Sequence, residues 1–525
     1  MSAAAAPSSS TSSLPPPADA SISRHILSPE SELRIEIPCG ISSTITLRAG
    51  SAELFGAELA IDRPLHNLTS AKLAIFTWHG CTLDVSNQDQ LDIIYVSDET
   101  DANVSYVNTH AQLEAMRDEA LGQLTSSSSA NTNTPTDGTI NIKEAGTNGI
   151  VLGGPRVLLV GPADCGKSSL ARVLVAYAVK LGRTPILVDL DVSQNMLSVP
   201  GTVAAIPVSS DMISADCFGT TSIMGGSSSS SSVGGGGAMM PLVLWYGSQD
   251  LMAHPDVYKA QLTKLGHSID ERLSGDADAN ASGIIVNTSG SIEDMGYQYL
   301  LHAIESFRIN VVLVLGHDRL YSMLGTQLKK DFEGDGCSSG PQKKKAPILI
   351  KLPRSGGVVS RDAAFRRALR SQSIKRYFYG NSIPPKVTEA PSLLSSTTLR
   401  YQFSPCLIEV RMADIQLHKL SNISLSASLL PIAATQSTDP IQLTTIPSSE
   451  ITSKLQHSVL AVCHPSAVEK YERSGSARDL YLSGVAGFVT VEKVDVDKAS
   501  MSLLSPCGGS LPSGHLLLGD IFWME

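Results

Sequence analysis

Two glycines, a lysine and a serine between residues 161 and 168 have the spacing of a phosphate-binding loop. Gly161 is followed by four residues and then by Gly166, Lys167 and Ser168, the pattern G-x-x-x-x-G-K-[ST]. Glycines at these points let the backbone curl so that its N–H groups form a nest for an anion, which the N-terminus of a following helix reinforces. In such a loop Lys167 reaches the β- and γ-phosphates and Ser168 binds Mg²⁺. The spacing therefore predicts a site for nucleotide phosphates.

Two aspartates, Asp189 and Asp191, end the next apolar segment, residues 186–190. Open α/β sheets hold their ligands at the carboxyl ends of the strands, and an acid one strand after the loop has the position of a Walker-B aspartate. Strand alternation predicts that both carboxylates point the same way. We predict that Asp191, which is nearer the strand end, faces the metal. The alternative is an aspartate that only caps the turn after the strand.

The elements that must position these residues are visible as apolar runs and helical repeats. Residues 157–160 are a short apolar run typical of a buried parallel strand, and apolar residues recur at helical spacing over residues 170–181. Further apolar runs, with helical stretches between several of them, lie at residues 242–245, 283–287, 311–315 and 348–352. This alternation predicts an α/β fold for residues 150–384, a doubly wound parallel sheet with helices on both faces.

Short strands flank this central domain on both sides. Alternating segments before it predict a small β-sandwich over residues 29–123 that includes a helix over residues 110–123, and similar segments after it predict a β-rich domain over residues 385–525. The remaining segments have the composition of a disordered tail, a linker and surface inserts: residues 1–28, 124–149, 225–237 and 332–345.

Composition excludes some classes of protein. The 525 residues carry a formal net charge of −10, which argues against a protein that coats nucleic acid through its overall charge. Positive charge is concentrated at residues 343–376, which hold eleven Lys and Arg and one acid. The eight cysteines form no C-x-x-C pair, so we expect neither a zinc site nor a redox pair. The same pattern predicts a protein of a reducing intracellular compartment. No secretory signal pattern and no apolar run of roughly 20 residues are present, so we expect no membrane association.

Five longer segments carry a resemblance to a known family. They are FTWHGCTLDV, YVNTHAQLEAMR, GPADCGKSSLARVLVAYAVKLGRTPILVDLDVSQNMLSVPGT, KLPRSGGVVSRDAAFRRALRSQSIKRYFYG and VAGFVTVEKVDVDK. These segments closely resemble the Clp-type polynucleotide 5′-hydroxyl kinases. Members of that family are nuclear, ATP-binding subunits of the machinery that cleaves and polyadenylates pre-mRNA, and some phosphorylate RNA 5′-hydroxyl ends. The resemblance implies a nuclear protein that binds ATP and Mg²⁺. It also implies that the partners are the other subunits of this machinery and RNA, which is bound either directly or only through the complex.

The resemblance also implies roles for particular residues. It places six loop residues around the ATP phosphates: Asp164, Cys165, Gly166, Lys167, Ser168 and Ser169. It assigns the metal to Ser168 and Asp191. It implies that the N-terminal domain lends two further nucleotide contacts, Glu32 and Lys72, for which the residues alone indicate only a strand-edge acid and a solvated lysine.

The basic segment at residues 354–376 matches the lid of that family. Ser360 is the expected N-cap of its helix. Guanidinium groups near a transferring phosphoryl group stabilise its charge, so the resemblance implies catalytic roles for lid arginines beside the loop residues. The implied catalytic residues are Lys167, Asp191, Arg361 and Arg366.

One departure from the family pattern bears on activity. Active members have Cys-Gly-Trp after the Asn-Thr of the strand at residues 283–287, whereas this chain has Ser291 in the tryptophan position. A serine cannot stack on a terminal base, and Trp245 or Tyr297 are the nearby aromatic alternatives. Two hypotheses remain open: a nucleotide-locked scaffold of the 3′-end processing machinery, and an active RNA 5′-hydroxyl kinase. A small-metabolite kinase fits the loop but not the flanking β domains.

Overall fold

The computed structural model describes residues 22–129, 153–213, 240–333, 346–383, 400–421, 441–447 and 450–524. The insert predicted at residues 225–237 and most of the predicted tail, linker and second insert lie outside this part of the chain. No helix in the described part is long and apolar enough to cross a membrane.

The N-terminal domain is a sandwich of two sheets. Its strands are β1 Ile22–Leu27, β2 Ser31–Ile37, β3 Ser43–Gly50, β4 Glu53–Leu54, β5 Ala57–Glu58, β6 Leu65–Leu68, β7 Ala71–Thr77, β8 Cys81–Ser86 and β9 Ile93–Ser97. The sheet orders are β1-β8-β3-β6 and β5-β4-β7-β2-β9. Alternation along β2 places Leu33 and Ile35 in the core between the sheets. Glu32 and Arg34 therefore face the other way, toward Gly357 of the central domain.

The predicted extent of the N-terminal tail is wrong. Residues 22–27, assigned to the tail, form β1, which pairs with β8 from Ile22↔Ser86 to Leu27↔Cys81. Leu27 is buried, whereas Ile22 and Ile26 are exposed. Because this edge strand contributes a single residue to the core, its sequence carries no clear alternation, and its position depends on the backbone hydrogen bonds of the ladder.

The predicted boundary between the N-terminal domain and the linker is also wrong. The helix expected at residues 110–123 is part of α1, Asp101–Ser129, which extends at both ends and runs into the predicted linker. Ala102, Tyr106 and Leu113 of α1 are buried in the core of the central domain. This packing stabilises the first part of α1, residues 101–110, where two Val, two Asn and one Thr have low helix propensity.

The central domain confirms the predicted α/β class. Its elements are β10 Arg156–Val160, α2 Lys167–Lys180, β11 Ile186–Asp189, β12 Thr202–Pro207, β13 Leu242–Trp245, α3 Pro255–Gly275, α4 Ala277–Ser282, β14 Ile284–Asn287, α5 Asp294–Ser306, β15 Val311–Leu315, α6 Asp318–Glu333, β16 Ile348–Leu352 and α7 Ala363–Tyr379. The sheet order is β13-β12-β11-β14-β10-β15-β16.

This sheet is mixed, whereas the sequence pattern predicted a purely parallel sheet. β11, β14, β10, β15 and β16 are parallel neighbours, but β12 runs antiparallel to both β11 and β13. Residues 190–201 connect β11 to β12 without a helix. A parallel return requires a crossover, usually a helix, so the short connection returns the chain antiparallel.

The C-terminal domain is β-rich, as predicted. Its elements, with the short β17 that precedes it, are β17 Ser382–Ile383, β18 Arg400–Tyr401, β19 Cys406–Arg411, β20 Gln416–Leu420, β21 Leu443–Ile446, β22 Ser458–Cys463, α8 Pro465–Ser474, α9 Ala477–Tyr481, β23 Val485–Asp495, β24 Ser500–Ser505 and β25 His515–Phe522. The main sheet has the order β19-β24-β23-β22-β25-β20-β21.

The C-terminal domain packs directly on the central domain. The backbone N–H of Asp520 donates to the carbonyl of Gly247 at 2.6 Å. A Cβ on Gly519 would lie 2.2 Å from the same carbonyl oxygen, so only glycine permits this approach. The ring of Trp523 stacks on Phe378 of α7, with 5.6 Å between the centroids. The C-terminal half of α7 is therefore held in a core shared by both domains.

A buried histidine pair lies inside the C-terminal domain. His418 Nε2 is 3.0 Å from His515 Nδ1, and the rings stack with 5.1 Å between centroids. His418 Nδ1 lies 3.2 Å from the hydroxyl of Thr445. Burial, together with the neighbouring His515, lowers the pKa of His418 to about 4. Burial also lowers the pKa of His515. The pair is therefore neutral at physiological pH.

We expect this pair to make the C-terminal domain sensitive to acid. A histidine that is neutral in the fold contributes its full stability above its unfolded pKa of 6.5, and that contribution is lost as the pH falls toward the folded value of about 4. The loss for His418 is of order 2 kcal/mol at pH 5.

Calorimetry at pH 7.5 and pH 5 tests this expectation. His418→Gln should unfold with a smaller difference between the two pH values than the wild type. His267→Gln, at an exposed position of α3, is the matched control and should retain the wild-type difference. The same loss in the wild type and in His418→Gln would contradict the expectation.

Candidate functional site

The predicted loop lies between β10 and α2, in strand, loop and helix order. Gly166 has φ of +96° and Asp164 has φ of +52°, which gives the backbone the tight curl that an anion nest requires. A Cβ on Gly161 would lie 2.8 Å from Cys165 Sγ and 3.0 Å from the carbonyl oxygen of Leu315. Close packing therefore explains the first glycine and left-handed backbone geometry explains the second.

Lys167 is the first residue of α2 and is buried beneath the loop. Its Nζ donates to the carbonyl oxygens of Gly161 at 2.8 Å and Pro162 at 2.7 Å, and it lies 3.7 Å from Cys165 Sγ. Burial lowers the pKa of Lys167. A polyphosphate would supply negative charge to an ammonium group that has been removed from water.

The neighbouring serine is connected to the acid strand through an asparagine. Asn287, at the end of β14, donates from Nδ2 to Asp189 Oδ1 at 2.9 Å and lies 3.3 Å from Ser168 Oγ. Asp189 Oδ2 also accepts the backbone N–H of Met196 at 2.7 Å. Burial, together with the nearby carboxylate of Asp191, raises the pKa of Asp189 to about 7, although the hydrogen bonds that Asp189 accepts oppose this rise.

The two aspartates do not point the same way, contrary to the expectation from strand alternation. β11 ends at Asp189, which is fully buried, and the backbone N–H of Asp191 donates back to Asp189 Oδ1 at 3.0 Å. Asp191 lies on the cavity wall, where its Oδ1 accepts the N–H of Ser193 at 3.0 Å and its hydroxyl at 2.8 Å. Asp191 is therefore the member of the pair that faces the loop, and its role at a metal stays a prediction.

The lid helix α7 begins differently from the prediction. Its N-cap is Asp362, whose carboxylate accepts the N–H of Phe365 at 2.7 Å, and not Ser360. Aspartate caps as well as serine does, and Asp362 follows Ser360 by two residues. Ser360 instead presents its carbonyl oxygen to Lys72 Nζ at 3.1 Å.

Both predicted lid arginines reach the loop, where they contact the carboxylate of Asp164. Arg361 donates from Nε to Oδ1 at 2.8 Å and from its backbone N–H to Oδ2 at 3.0 Å. Arg366 donates from Nη2 to Oδ2 at 2.6 Å. The pKa of Asp164 is lowered because these hydrogen bonds and the charge of Arg361 outweigh the opposing effect of its burial. The sequence alone indicated no link between Asp164 and the lid.

The N-terminal domain places its two predicted residues beside the lid. Glu32 is buried on β2 and accepts Arg34 Nε at 2.5 Å. Lys72 on β7 forms an ion pair with Glu36 at 2.8 Å, and its Nζ lies 5.3 Å from the ring centroid of Phe365 in the lid. Both residues are therefore next to the nucleotide loop because the sandwich packs against the central domain, although they precede the loop by roughly 90 to 130 positions.

All predicted site residues line one cavity of about 1200 Å³, formed by the loop, the lid and the N-terminal sandwich. These residues are Glu32, Lys72, Asp164, Cys165, Gly166, Lys167, Ser168, Ser169, Asp191, Arg361 and Arg366. Sequence reasoning missed Arg172 on this wall, and it gave no site role to Arg370, Lys375 and Arg376 of the basic segment at residues 354–376, which extend the wall beyond the loop. It also missed Asn287, although a polar residue at the carboxyl end of a strand beside the loop is the available indication.

The aromatic alternatives to a tryptophan at position 291 do not line this cavity. Trp245 is fully buried and packs against Phe488 of the C-terminal domain, with 5.6 Å between the centroids. The hydroxyl of Tyr297 donates to the carbonyl of Met323. Within the described residues, the cavity wall includes Gly290 but neither Ser291, Trp245 nor Tyr297. No group of three or more His, Cys, Asp and Glu side chains in this part of the chain is arranged to hold a metal by itself.

Three family models match successive parts of the chain. The N-terminal β-sandwich domain of polyadenylation factor matches residues 26–120, the P-loop of mRNA cleavage and polyadenylation factor CLP1 matches residues 161–380, and pre-mRNA cleavage complex II protein Clp1 matches residues 403–525. Each model covers one of the three domains in the order in which the structure presents them.

Relatives similar over their whole length come from fungi, plants and animals. The mRNA cleavage and polyadenylation factor clp1 of Aspergillus niger is 33% identical over 92% of this chain and 91% of its own. The CLP1 homolog of Arabidopsis thaliana is 31% identical over 97% and 96%. The polyribonucleotide 5′-hydroxyl-kinase Clp1 of Rattus norvegicus is 32% identical over 94% and 95%.

A solved structure has the same fold. The wild-type Clp1p–Pcf11p complex contains a chain that matches with a TM-score of 0.69 and 23% identity, over 97% of this chain and 99% of that one. The family models, the relatives and the arrangement of the loop, lid and two β domains agree. The chain belongs to the Clp1 family of mRNA cleavage and polyadenylation factors.

Proposed function

We propose that this protein binds Mg·ATP and serves as a nucleotide-holding scaffold subunit of the nuclear machinery that cleaves and polyadenylates pre-mRNA. The observation that carries the proposal is the shared cavity, whose wall comes from the N-terminal sandwich, the phosphate loop and the lid helix. Because the far end of the lid helix is packed against Trp523 of the C-terminal domain, a ligand in the cavity would act on all three domains. Membership of the Clp1 family supports the setting in 3′-end processing.

The residues on the cavity wall fit Mg·ATP. Lys167 would contact the β- and γ-phosphates, and the hydroxyl of Ser168 with the carboxylate of Asp191 would present oxygen atoms, the ligands that Mg²⁺ prefers. When bound, Mg²⁺ would neutralise part of the negative charge of the phosphates. The chain itself orients the ligands, because Asn287 holds Ser168 against the acid strand and Arg361 and Arg366 lie over the loop.

A nucleotide that binds only the folded arrangement stabilises that arrangement by mass action. We propose that the partner is the Pcf11-type subunit of the same machinery and that it binds the nucleotide-stabilised arrangement of the three domains. Clp1p is in complex with Pcf11p in the solved structure of similar fold.

Co-expression with the Pcf11-type subunit tests this proposal. Wild type should copurify with the subunit and release ATP on denaturation, whereas Lys167→Ala/Ser168→Ala should carry no ATP and recover less subunit. Lys264→Ala, at an exposed position of α3, is the control and should behave as wild type. Equal recovery of the subunit by a folded variant without nucleotide would overturn the locked-scaffold proposal.

A second candidate function is an RNA 5′-hydroxyl kinase, the activity after which several relatives are named. The observation in its favour is the basic extension of the cavity beyond the loop, where Arg370, Lys375 and Arg376 line the wall. A positively charged groove of this kind binds the phosphate backbone of single-stranded nucleic acid. Tyr401, whose ring centroid lies 5.0 Å from Lys375 Nζ, adds an aromatic face on which a base can stack.

We expect Lys72→Ala to weaken Mg·ATP binding about tenfold, the scale of one charge-assisted hydrogen bond. The reason is that Lys72 lies on the cavity wall and also contacts Ser360 of the lid. Isothermal calorimetry measures the change, and Arg24→Ala, at an exposed position of β1, is the matched control. Unchanged affinity in Lys72→Ala would contradict a contribution of the N-terminal domain.

Truncation of the whole N-terminal domain is a poorer test because it also removes α1, whose Arg117 is fully buried against the central domain.

We expect Asn287→Ala to weaken the binding of Mg·ATP about tenfold but to leave the binding of ATP in EDTA unchanged. Asn287 holds the Ser168 hydroxyl and has no contact with the cavity itself, so its loss should affect the metal ligand and not the phosphate nest. Calorimetry with and without Mg²⁺ separates the two effects. Equal weakening under both conditions would indicate general damage to the loop.

A further inference from the structure

The carboxylate of Asp164 holds the start of the lid helix at three points. It accepts the Nε and the backbone N–H of Arg361 at 2.8 and 3.0 Å, and Nη2 of Arg366 at 2.6 Å. The Asp164 side chain is only 10% exposed, and those of Arg361 and Arg366 are 32% and 37% exposed. The phosphate loop and the lid, which lie 197 residues apart in the chain, are therefore joined through one side chain.

The two halves of α7 are held by different forces. Its buried residues, Ile374, Tyr377 and Phe378, all belong to the C-terminal half, where Phe378 stacks on Trp523. None of the residues in its first two turns is buried, and Arg367 on the outer side is exposed. Apolar packing therefore fixes the far end of the helix, and polar contacts fix the end above the nucleotide loop.

Lys72 and Tyr106 supply further contacts near the start of the lid, from outside the phosphate loop. Lys72 Nζ donates to the carbonyl of Ser360 at 3.1 Å. The hydroxyl of Tyr106 donates to the carbonyl of Pro353 at 3.2 Å, at the base of the lid. Asp164 is the contact that joins the helix start to the phosphate loop itself.

The same arginines form part of the cavity wall together with Phe365 and Leu369 of α7. This wall borders the gap between the loop and the lid, and its movement away from the loop would break the hydrogen bonds to Asp164.

We propose that Asp164 is the latch of the lid, a positioning residue that holds Arg361 and Arg366 over the phosphate loop and thereby slows both the entry and the release of nucleotide. The proposal rests on the proposed function in that the loop binds nucleotide. A latch that holds the lid in the empty and in the loaded protein changes the two rates together and changes the affinity less. This kinetic pattern distinguishes it from an ordinary phosphate contact.

Asp164→Asn isolates the charge of the latch. Asparagine tolerates the left-handed backbone that residue 164 adopts, with φ of +52°, so the loop conformation is retained while the ionic contacts are lost. Arg366→Ala removes one of the two arginines that the latch holds. Arg367→Ala removes the exposed neighbouring arginine and is the matched control.

Stopped-flow fluorescence with the methylanthraniloyl analogue of ATP and Mg²⁺ measures both rates. We expect Asp164→Asn to raise the entry and release rate constants each about tenfold, on the scale of one charge-assisted hydrogen bond, with the dissociation constant changed less than about threefold. Arg367→Ala should match wild type. A release rate unchanged in Asp164→Asn, or raised equally in Arg367→Ala, would overturn the latch. A faster release with an unchanged entry rate would also overturn it and would identify Asp164 as a simple binding residue.

Hydrogen exchange without nucleotide separates failure of the latch from failure of nucleotide binding. The first turns of α7 should exchange faster in Asp164→Asn than in wild type, while residues 374–379 should not change. If wild type does not bind the analogue, the proposed function fails, and the exchange comparison still decides the latch. Equal exchange in both proteins would overturn it.

Discussion

Lys167→Ala/Ser168→Ala should lose Mg·ATP binding by about 10²- to 10⁴-fold, the combined scale of two contacts to charged groups. The lysine is the ammonium group buried beneath the loop, and burial lowers its pKa because charge is costly there without a partner. The serine presents its hydroxyl on the same wall, beside Asn287. The variant thus removes a cation and a metal ligand from a site built to neutralise a polyphosphate.

Isothermal calorimetry with Mg·ATP measures this loss directly. Lys264→Ala is the control because it removes one positive charge from an exposed position of α3 and leaves the loop intact. Lys167→Met keeps most of the buried volume, so it separates the loss of charge from a cavity beneath the loop. Equal affinity of the wild type and the double variant would show that residues 161–168 do not bind the nucleotide.

The second large effect concerns phosphate transfer, which we expect to be weak or absent in the wild type. Stacking of a base on an aromatic ring contributes ~1–3 kcal/mol. Displacement of the acceptor hydroxyl by about an ångström costs ~10²-fold in rate, because positioning makes up much of phosphoryl-transfer catalysis. Ser291 cannot stack, and neither Trp245 nor Tyr297 lines the cavity. Tyr401 lines the cavity beside Lys375 and is an aromatic candidate for this role.

Four proteins distinguish the outcomes in an assay with γ-labelled ATP and a 5′-hydroxyl oligoribonucleotide. Ser291→Trp should gain activity of order 10²-fold over wild type if the missing platform is the limiting feature. Robust wild-type turnover that Lys167→Ala abolishes would refute the scaffold-only hypothesis. Loss of that turnover in Tyr401→Ala would assign the stacking role to Tyr401.

Local patterns in the sequence were sufficient to predict the features that depend on neighbouring residues. The loop at residues 161–168, the strand before it and the helix after it follow from glycine spacing, an apolar run and a helical repeat, all within about 30 positions. The α/β class and the two β domains follow from repeated local patterns of the same kind. The roles of Glu32, Lys72 and the lid arginines came from family resemblance, because no local pattern marks them.

The features that join distant segments could not be predicted from local patterns and became visible in the folded protein. β1 was missed because an edge strand with one buried residue has no readable alternation, and β12 turned antiparallel because its connection lacks a crossover helix. Asp189 and Asp191 diverge because β11 ends between them. The pairing of Asp164 with Arg361 and Arg366 spans about 200 residues. Such contacts depend on how whole domains pack, and packing leaves no periodic trace in the sequence of either partner.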